Sequence, residues 1–313
     1  MKKTNLISVL SIVFLIYGCQ PGSSPDVEKK SGEELDSLVV KTISDADTTN
    51  KTVAIISAIM SSIPSPIEMA LIVKSSGAPF SKSILNDPSN SKEYSTNSKR
   101  AINLGVYGAD LGYANLYKQN TASLEYIRAV KSLADELKIG QFFDLGTLQK
   151  LSENKDDAVE LINVTQSSFN DINNYLQEQE RANISVAILI GGWIEALYLS
   201  TEIAGKKEEI NKELLDGIGY QKIILQDLIL LLDAFQGNKE FEYIEGELRN
   251  IQEAYENVSI TYEEVDVENN EPMVDEDGIM IVQSSTRSRV NITSEDLQKI
   301  SSKVKSVRAH IIN

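Results

Sequence analysis

Apolar residues recur every three to four positions along most of the chain, from Glu33 to Asn257. That spacing puts them on one face of a 3.6-residue helix and predicts a series of amphipathic helices. Glu33 to Asp45 is the first and most modest, and Thr52 to Ile63 is strongly apolar and stops at Pro64. Ser65-Pro66 then opens a helix, with serine as cap and proline at the first position, and Gly77 ends it. Ala78 to Tyr94 reads as a polar loop broken by Pro79 and Pro88. Helices are expected over 95–119, 122–138, 155–181, 182–204, 208–235 and 240–257. The period then changes. Val258, Ile260 and Tyr262 alternate with polar residues, as do Ile279 and Ile281, which predicts a hairpin around an acidic loop at 263–277. A last helix starts near Thr293 or Ser294, ahead of Glu295 and Asp296. Lys303, Lys305 and Arg308 suit the negative end of its dipole. The expected fold is mainly α: a multi-helix bundle with a small C-terminal β-hairpin before the last helix.

The N-terminus follows another logic. Lys2 and Lys3 precede an apolar run from Leu6 to Tyr17, broken only by Ser8 and Ser11. The run is shorter than the roughly 20 residues of a membrane span, and it ends on a small residue, Gly18. A positive head, a short apolar core and a small residue at the cut define a secretory signal. Leu15-Ile16-Tyr17-Gly18-Cys19 resembles a lipobox, the motif cut in bacterial lipoproteins. The resemblance implies a signal peptide over 1–18 and lipid, including palmitate-type acyl chains, on Cys19. Several chains give stable anchoring where one is marginal. Gln20 follows the cysteine in place of the aspartate linked to inner-membrane retention, so the outer membrane is the expected destination. Residues 19–32, rich in Ser, Pro, Gly and charge, read as a tether. The bundle proper is expected over 33–257, with the hairpin and last helix, 258–313, packed on it.

Charge narrows the partners. The chain has 30 basic and 46 acidic residues, a formal charge of -16, and the leader would remove two lysines more. Such a field repels nucleic acid, so none is expected as a partner. The one cysteine rules out an internal disulfide.

Two stretches carry candidate chemistry. In NLGVYGADLGYANLY, from Asn103 to Tyr117, Gly105, Gly108 and Gly112 share one helical face. Each glycine costs a helix about 1 kcal/mol, and close approach of a second helix is the usual reason for accepting that. Asn103, Tyr107, Asp110 and Tyr117 form another stripe. In ISVAILIGGWIEALYL, from Ile184 to Leu199, Gly191, Glu195, Tyr198 and Glu202 share a face, and Trp193 lies on a different one. The stretch is too short and too interrupted for a span, so a buried bundle helix is expected. A carboxylate there must find a partner or keep its proton. Arg128, Lys131 or a tyrosine hydroxyl are the candidates. If the two helices face each other, Tyr107, Asp110, Glu195 and Tyr198 line one pocket with Trp193 near its wall, suited to a small cationic or sugar-like ligand.

Catalytic motifs are sparse. His310 is the only histidine and stands three residues from the end. Ser-His and Cys-His catalysis therefore have no support, and neither does a zinc site. No phosphate-binding or dinucleotide-binding glycine motif occurs. Asp275-Glu276-Asp277-Gly278 hints at a calcium loop but lacks its later ligands. No cofactor and no metal are expected. With IPSPIEMA, NLGVYGADLGY and GGWIEALYL, the chain resembles uncharacterised all-helical lipoproteins of Bacteroidetes-type bacteria, which implies location and fold but no chemistry. Three readings follow: a lipid-tethered binding or scaffold module with a protein partner, a small-ligand receptor at Glu195, and a two-carboxylate hydrolase.

Overall fold

The computed structural model describes residues 63–143, 158–206, 210–235, 237–264 and 286–313, with short stretches at 56, 58–60, 273–274 and 280–281. Cys19, the leader, the tether, the helix expected at Glu33–Asp45, most of the one at Thr52–Ile63 and the acidic loop at Asp275–Gly278 lie outside the described residues. All that follows belongs to the unit Ala46–Asn313.

Local signals start and stop the helices much as the pattern predicts. Ser65 caps α1 (Pro66–Ser75), whose Glu68 reaches back to the Ser65 amide at 3.1 Å. Gly77, at φ 74°, turns the chain out. Thr96 caps α2 (Asn97–Leu116) by accepting from the Lys99 amide at 3.1 Å. Then come α3 (Asn120–Glu136), α4 (Ala158–Glu178), α5 (Ala182–Ala204), α6 (Lys212–Asp233) and α7 (Lys239–Ala254). Thr293 and Asp296 form a reciprocal capping box at the head of α8 (Ser294–Ile312). The fold is a mainly helical bundle with a small antiparallel sheet before its last helix.

The sheet differs from the expected hairpin in its pairing. β1 (Ser259–Glu264) does not pair with Ile279–Ile281 but with β4 (Thr286–Asn291), Ile260 opposite Val290. Met280–Ile281 forms β3 and pairs with β2, Met273–Val274. β4 reads TRSRVN, and Val290 is its one apolar residue. A single apolar position gives no alternation to detect, yet Val290 is buried against Gly219 of α6. The polar loop expected at 78–94 differs too. It forms short 3₁₀ turns at Lys82–Ile84 and Pro88–Lys92 and sends Ile84, Leu85, Asn86 and Tyr94 into the core.

α2 and α5 form the centre. At Gly105 and Gly191 they touch backbone to backbone. A β-carbon on Gly105 would land on the Ile188 carbonyl and 2.6 Å from the Gly192 nitrogen. One on Gly191 would land on the Ile102 carbonyl. Gly112 meets the Ile67 side chain of α1, whereas nothing stands within 4 Å of a β-carbon on Gly108. Among the described residues α5 is the one helix long and apolar enough to cross a membrane, but 94 % of its apolar stretch is buried inside the protein. It is a core helix, wrapped by α1, α2, α4, α6 and α8.

The two glycines of α2 should therefore respond oppositely to the same change. Gly105→Ala must push two backbones apart and is expected to lose about 2 kcal/mol or more, since overpacking outweighs the gain in helix propensity. Gly108→Ala has room and should gain up to about 1 kcal/mol. Urea denaturation of both variants measures the contrast, and equal effects would contradict the contact.

Candidate functional site

The α2–α5 crossing sets Asp110 against Glu195. Both are fully buried. The cation between them and the last helix is Arg308, not Arg128 or Lys131. Arg128 is exposed, and Lys131 bonds Asp135 one turn along α3. Arg308 sits near the end of α8 and turns inward instead of serving the helix dipole. Its Nε donates to Glu195 Oε2 at 2.6 Å and its Nη2 to Glu195 Oε1 at 2.7 Å, a bidentate fork. Nη2 also donates to the Ile84 carbonyl at 3.2 Å. The guanidinium lies 4.1 Å over the Tyr198 ring. Glu202, further along the same stripe of α5, meets Lys305 of α8 at 3.4 Å.

The charges balance only if one carboxyl keeps a proton. Asp110 Oδ2 accepts from the Asn86 amide at 3.1 Å, while Oδ1 has no other donor among the described residues. Burial, and then the negative charge of Glu195, hold the Asp110 carboxyl well above the usual carboxylate range. A proton retained on Asp110 leaves Asp110, Glu195 and Arg308 neutral as a group.

Asn86 extends this centre. It donates through Nδ2 to the Tyr94 hydroxyl at 3.0 Å and accepts at its carbonyl from Tyr126 at 3.0 Å. The Tyr107 hydroxyl donates to the Asp87 carbonyl at 2.8 Å. Burial pushes the Tyr107 and Tyr126 hydroxyls well above their ordinary range, so both remain donors. Asn103 joins α2 to α8 by donating to the Ile311 carbonyl at 2.9 Å.

Of the candidate residues, Tyr107, Asp110, Glu195 and Tyr198 thus gather in one region. Trp193 faces elsewhere: its Nε1 donates to Gln221 of α6 at 2.8 Å. The gathered group, Tyr107, Asp110, Glu195 and Tyr198, lines neither of two cavities that flank α2. The more polar cavity is bordered by Lys82, Asp87, Glu125 and Tyr126, and its Lys82–Glu125 pair closes at 2.7 Å.

The other cavity is apolar, about 140 Å³, and lies on the opposite side of α2. Leu104, Gly108 and Leu111 form its floor, with Phe143, Phe169 and Ile188 among its walls. Gly108 is open to solvent there, although its neighbours in α2 are buried. Asn115, one face-repeat beyond Gly112, stands at the end of the cleft. It is 4 % exposed, and its side-chain amide makes no hydrogen bond among the described residues. Sequence reasoning identified Gly108 only as a packing glycine and did not single out Asn86, Asn115 or the inward turn of Arg308. The i, i+3, i+7 glycine spacing was the one signal pointing to the cleft, because three glycines exceed what one crossing uses.

Among the described residues no group of three or more His, Cys, Asp or Glu is placed to hold a metal ion. No protein-family model, no curated protein and no solved structure matches the chain.

Two measurements check the buried centre. Arg308→Met strands Glu195 and should cost about 3–5 kcal/mol, whereas Arg308→Met with Glu195→Met should recover most of that loss. Asp110 carries a raised native pKa, so the stability its proton supplies is full below the ordinary carboxyl range and is lost as pH rises from about 4 toward the native value. Asp110→Asn cannot titrate. Its stability relative to wild type should rise with pH in urea denaturation at pH 4.5 and 8, and identical pH slopes would show that Asp110 is ionised in the native state.

Proposed function

We propose that this chain is a lipid-anchored, non-catalytic binding protein of the bacterial envelope, held through acyl groups on Cys19, whose helical domain takes a small apolar ligand into the cleft over Gly108. The observation that carries this reading is the open Gly108. A helix glycine forgoes about 1 kcal/mol, and here none of the described residues fills the space that the missing side chain leaves. The result is a smooth backbone floor within an apolar wall, the usual composition of a small-molecule site.

The buried acids favour binding over catalysis and over a cationic or sugar-like ligand at Glu195. Arg308 already occupies the position a ligand cation would take, with the same fork and the same aromatic face. A two-carboxylate hydrolase needs water and substrate between its acids. Asp110 and Glu195 are instead fully buried, with Arg308 forked onto Glu195 where substrate would have to lie.

Size suggests the probe. Cavities near 150 Å³ lined by aliphatic and aromatic side chains stay dry and accept benzene. The full-length protein should bind benzene saturably, and Gly108→Leu should weaken that binding at least about tenfold, because the new side chain fills the cleft. Circular dichroism and the thermal midpoint establish that the variant is folded. Equal benzene uptake by both proteins, or none by wild type, would refute the cleft. In the native host, an alkyne-tagged palmitate should label the wild type and leave Cys19→Ala unlabelled; labelling elsewhere in the chain would refute the anchor.

A further inference from the structure

We infer that the cleft selects an uncharged amphiphile: a hydrocarbon body seated over Gly108 and a neutral hydrogen-bonding head, such as a hydroxyl or amide, held by Asn115. The inference rests on the cleft being the ligand site and adds the chemistry of what enters it.

Asn115 is the second, independent observation. Asn115 is 4 % exposed and its side chain makes no hydrogen bond among the described residues, so its two donors and one acceptor are left to the little solvent that reaches them, and a ligand entering the cleft would displace that solvent. Asn115 stands at the end of a mostly apolar cleft, on the face of α2 that also presents Leu104, Gly108 and Leu111. A ligand whose polar end reaches it, while its apolar end lies on the glycine floor, pairs the amide and buries hydrocarbon in one step.

The lining also says which heads are refused. No Lys, Arg, His, Asp or Glu borders the cleft among the described residues. Across from Asn115, α4 contributes Thr165, Gln166 and Ser168, all neutral. A carboxylate or ammonium head entering here would lose hydration and meet no opposite charge. The chain's acidity adds a long-range bias against anions alone, so a cationic head separates the two effects: the field would favour it and the cleft would not. An amide both donates and accepts, so it distinguishes a neutral polar head from an ion but accepts either a hydroxyl or an amide.

The experiment uses three six-carbon probes on the full-length protein by equilibrium dialysis: 1-hexanol, hexanoate and hexylammonium, each alongside benzene. Wild type should bind hexanol at least about tenfold tighter than either ion. Asn115→Leu should weaken hexanol about two- to tenfold, the worth of one net hydrogen bond, and leave benzene equal or tighter. Gly108→Leu should reduce hexanol and benzene together. Hexanoate or hexylammonium binding as well as hexanol, or hexanol unaffected in Asn115→Leu, would overturn the head-group assignment while benzene binding left the cleft standing. Loss of benzene binding in wild type would overturn both.

Discussion

The backbone contact between α2 and α5 governs both halves of this molecule's chemistry. Gly105 and Gly191 let the two helices meet without side chains between them. Nothing larger fits, so the axes are held at a separation that only glycine allows. On one side of α2 that closeness brings Asp110 within reach of Glu195. On the other it leaves Gly108 one turn beyond the contact, unopposed, as the floor of the apolar cleft. Widen the crossing by one methyl layer and the two buried acids separate while the floor tilts.

The buried ionic centre is a fastening more than a source of stability. Desolvating a guanidinium and a carboxylate costs several kcal/mol, and a good bidentate geometry roughly returns it. What the fork adds is register. Arg308 reaches Glu195 only when α8 lies in one position along α5, and Asn103 bonding the Ile311 carbonyl fixes the same position from α2. The loop at 82–92 is pinned by the same atoms, through the Ile84 carbonyl on Arg308 and the Asn86 amide on Asp110. Four segments, the 82–92 loop, α2, α5 and α8, thereby meet in one cluster.

The helices were legible in the sequence because their signals are local. Ser65-Pro66 with Glu68, and Thr293 with Asp296, are caps that need only their own few residues. The meeting of Asp110 and Glu195 was also foreseeable, since a glycine-lined helix and a second apolar helix carrying a lone carboxylate each ask for a close neighbour. What escaped depends on long-range choice. Arg308 in a helix reads as any basic residue near a C-terminus, and only tertiary packing turns it inward. The pairing of β1 with Thr286–Asn291 hangs on a single valine against Gly219, too little for a period to show. The cleft is left open by the described residues, and no pattern in one helix announces where its neighbours stand.

The separation of chemistries across α2 is itself an argument about function. On one side of α2 the buried carboxyls Asp110 and Glu195 face a cation of the chain itself, with Arg308 standing where an external cation would have to go. The opposite side carries no charge among its described lining residues, only neutral polar groups such as Asn115 and Gln166. A protein built to recognise an ion would leave a charge uncompensated, as that is where the binding energy lies. Here the uncompensated features are an open apolar floor and Asn115. With the proposed acyl anchor on Cys19, the domain would work beside a bilayer, where uncharged amphiphiles are concentrated and a net acidic surface discourages adsorption to anionic headgroups. The same helix that seals its charges away thus offers its glycine face to molecules that have none.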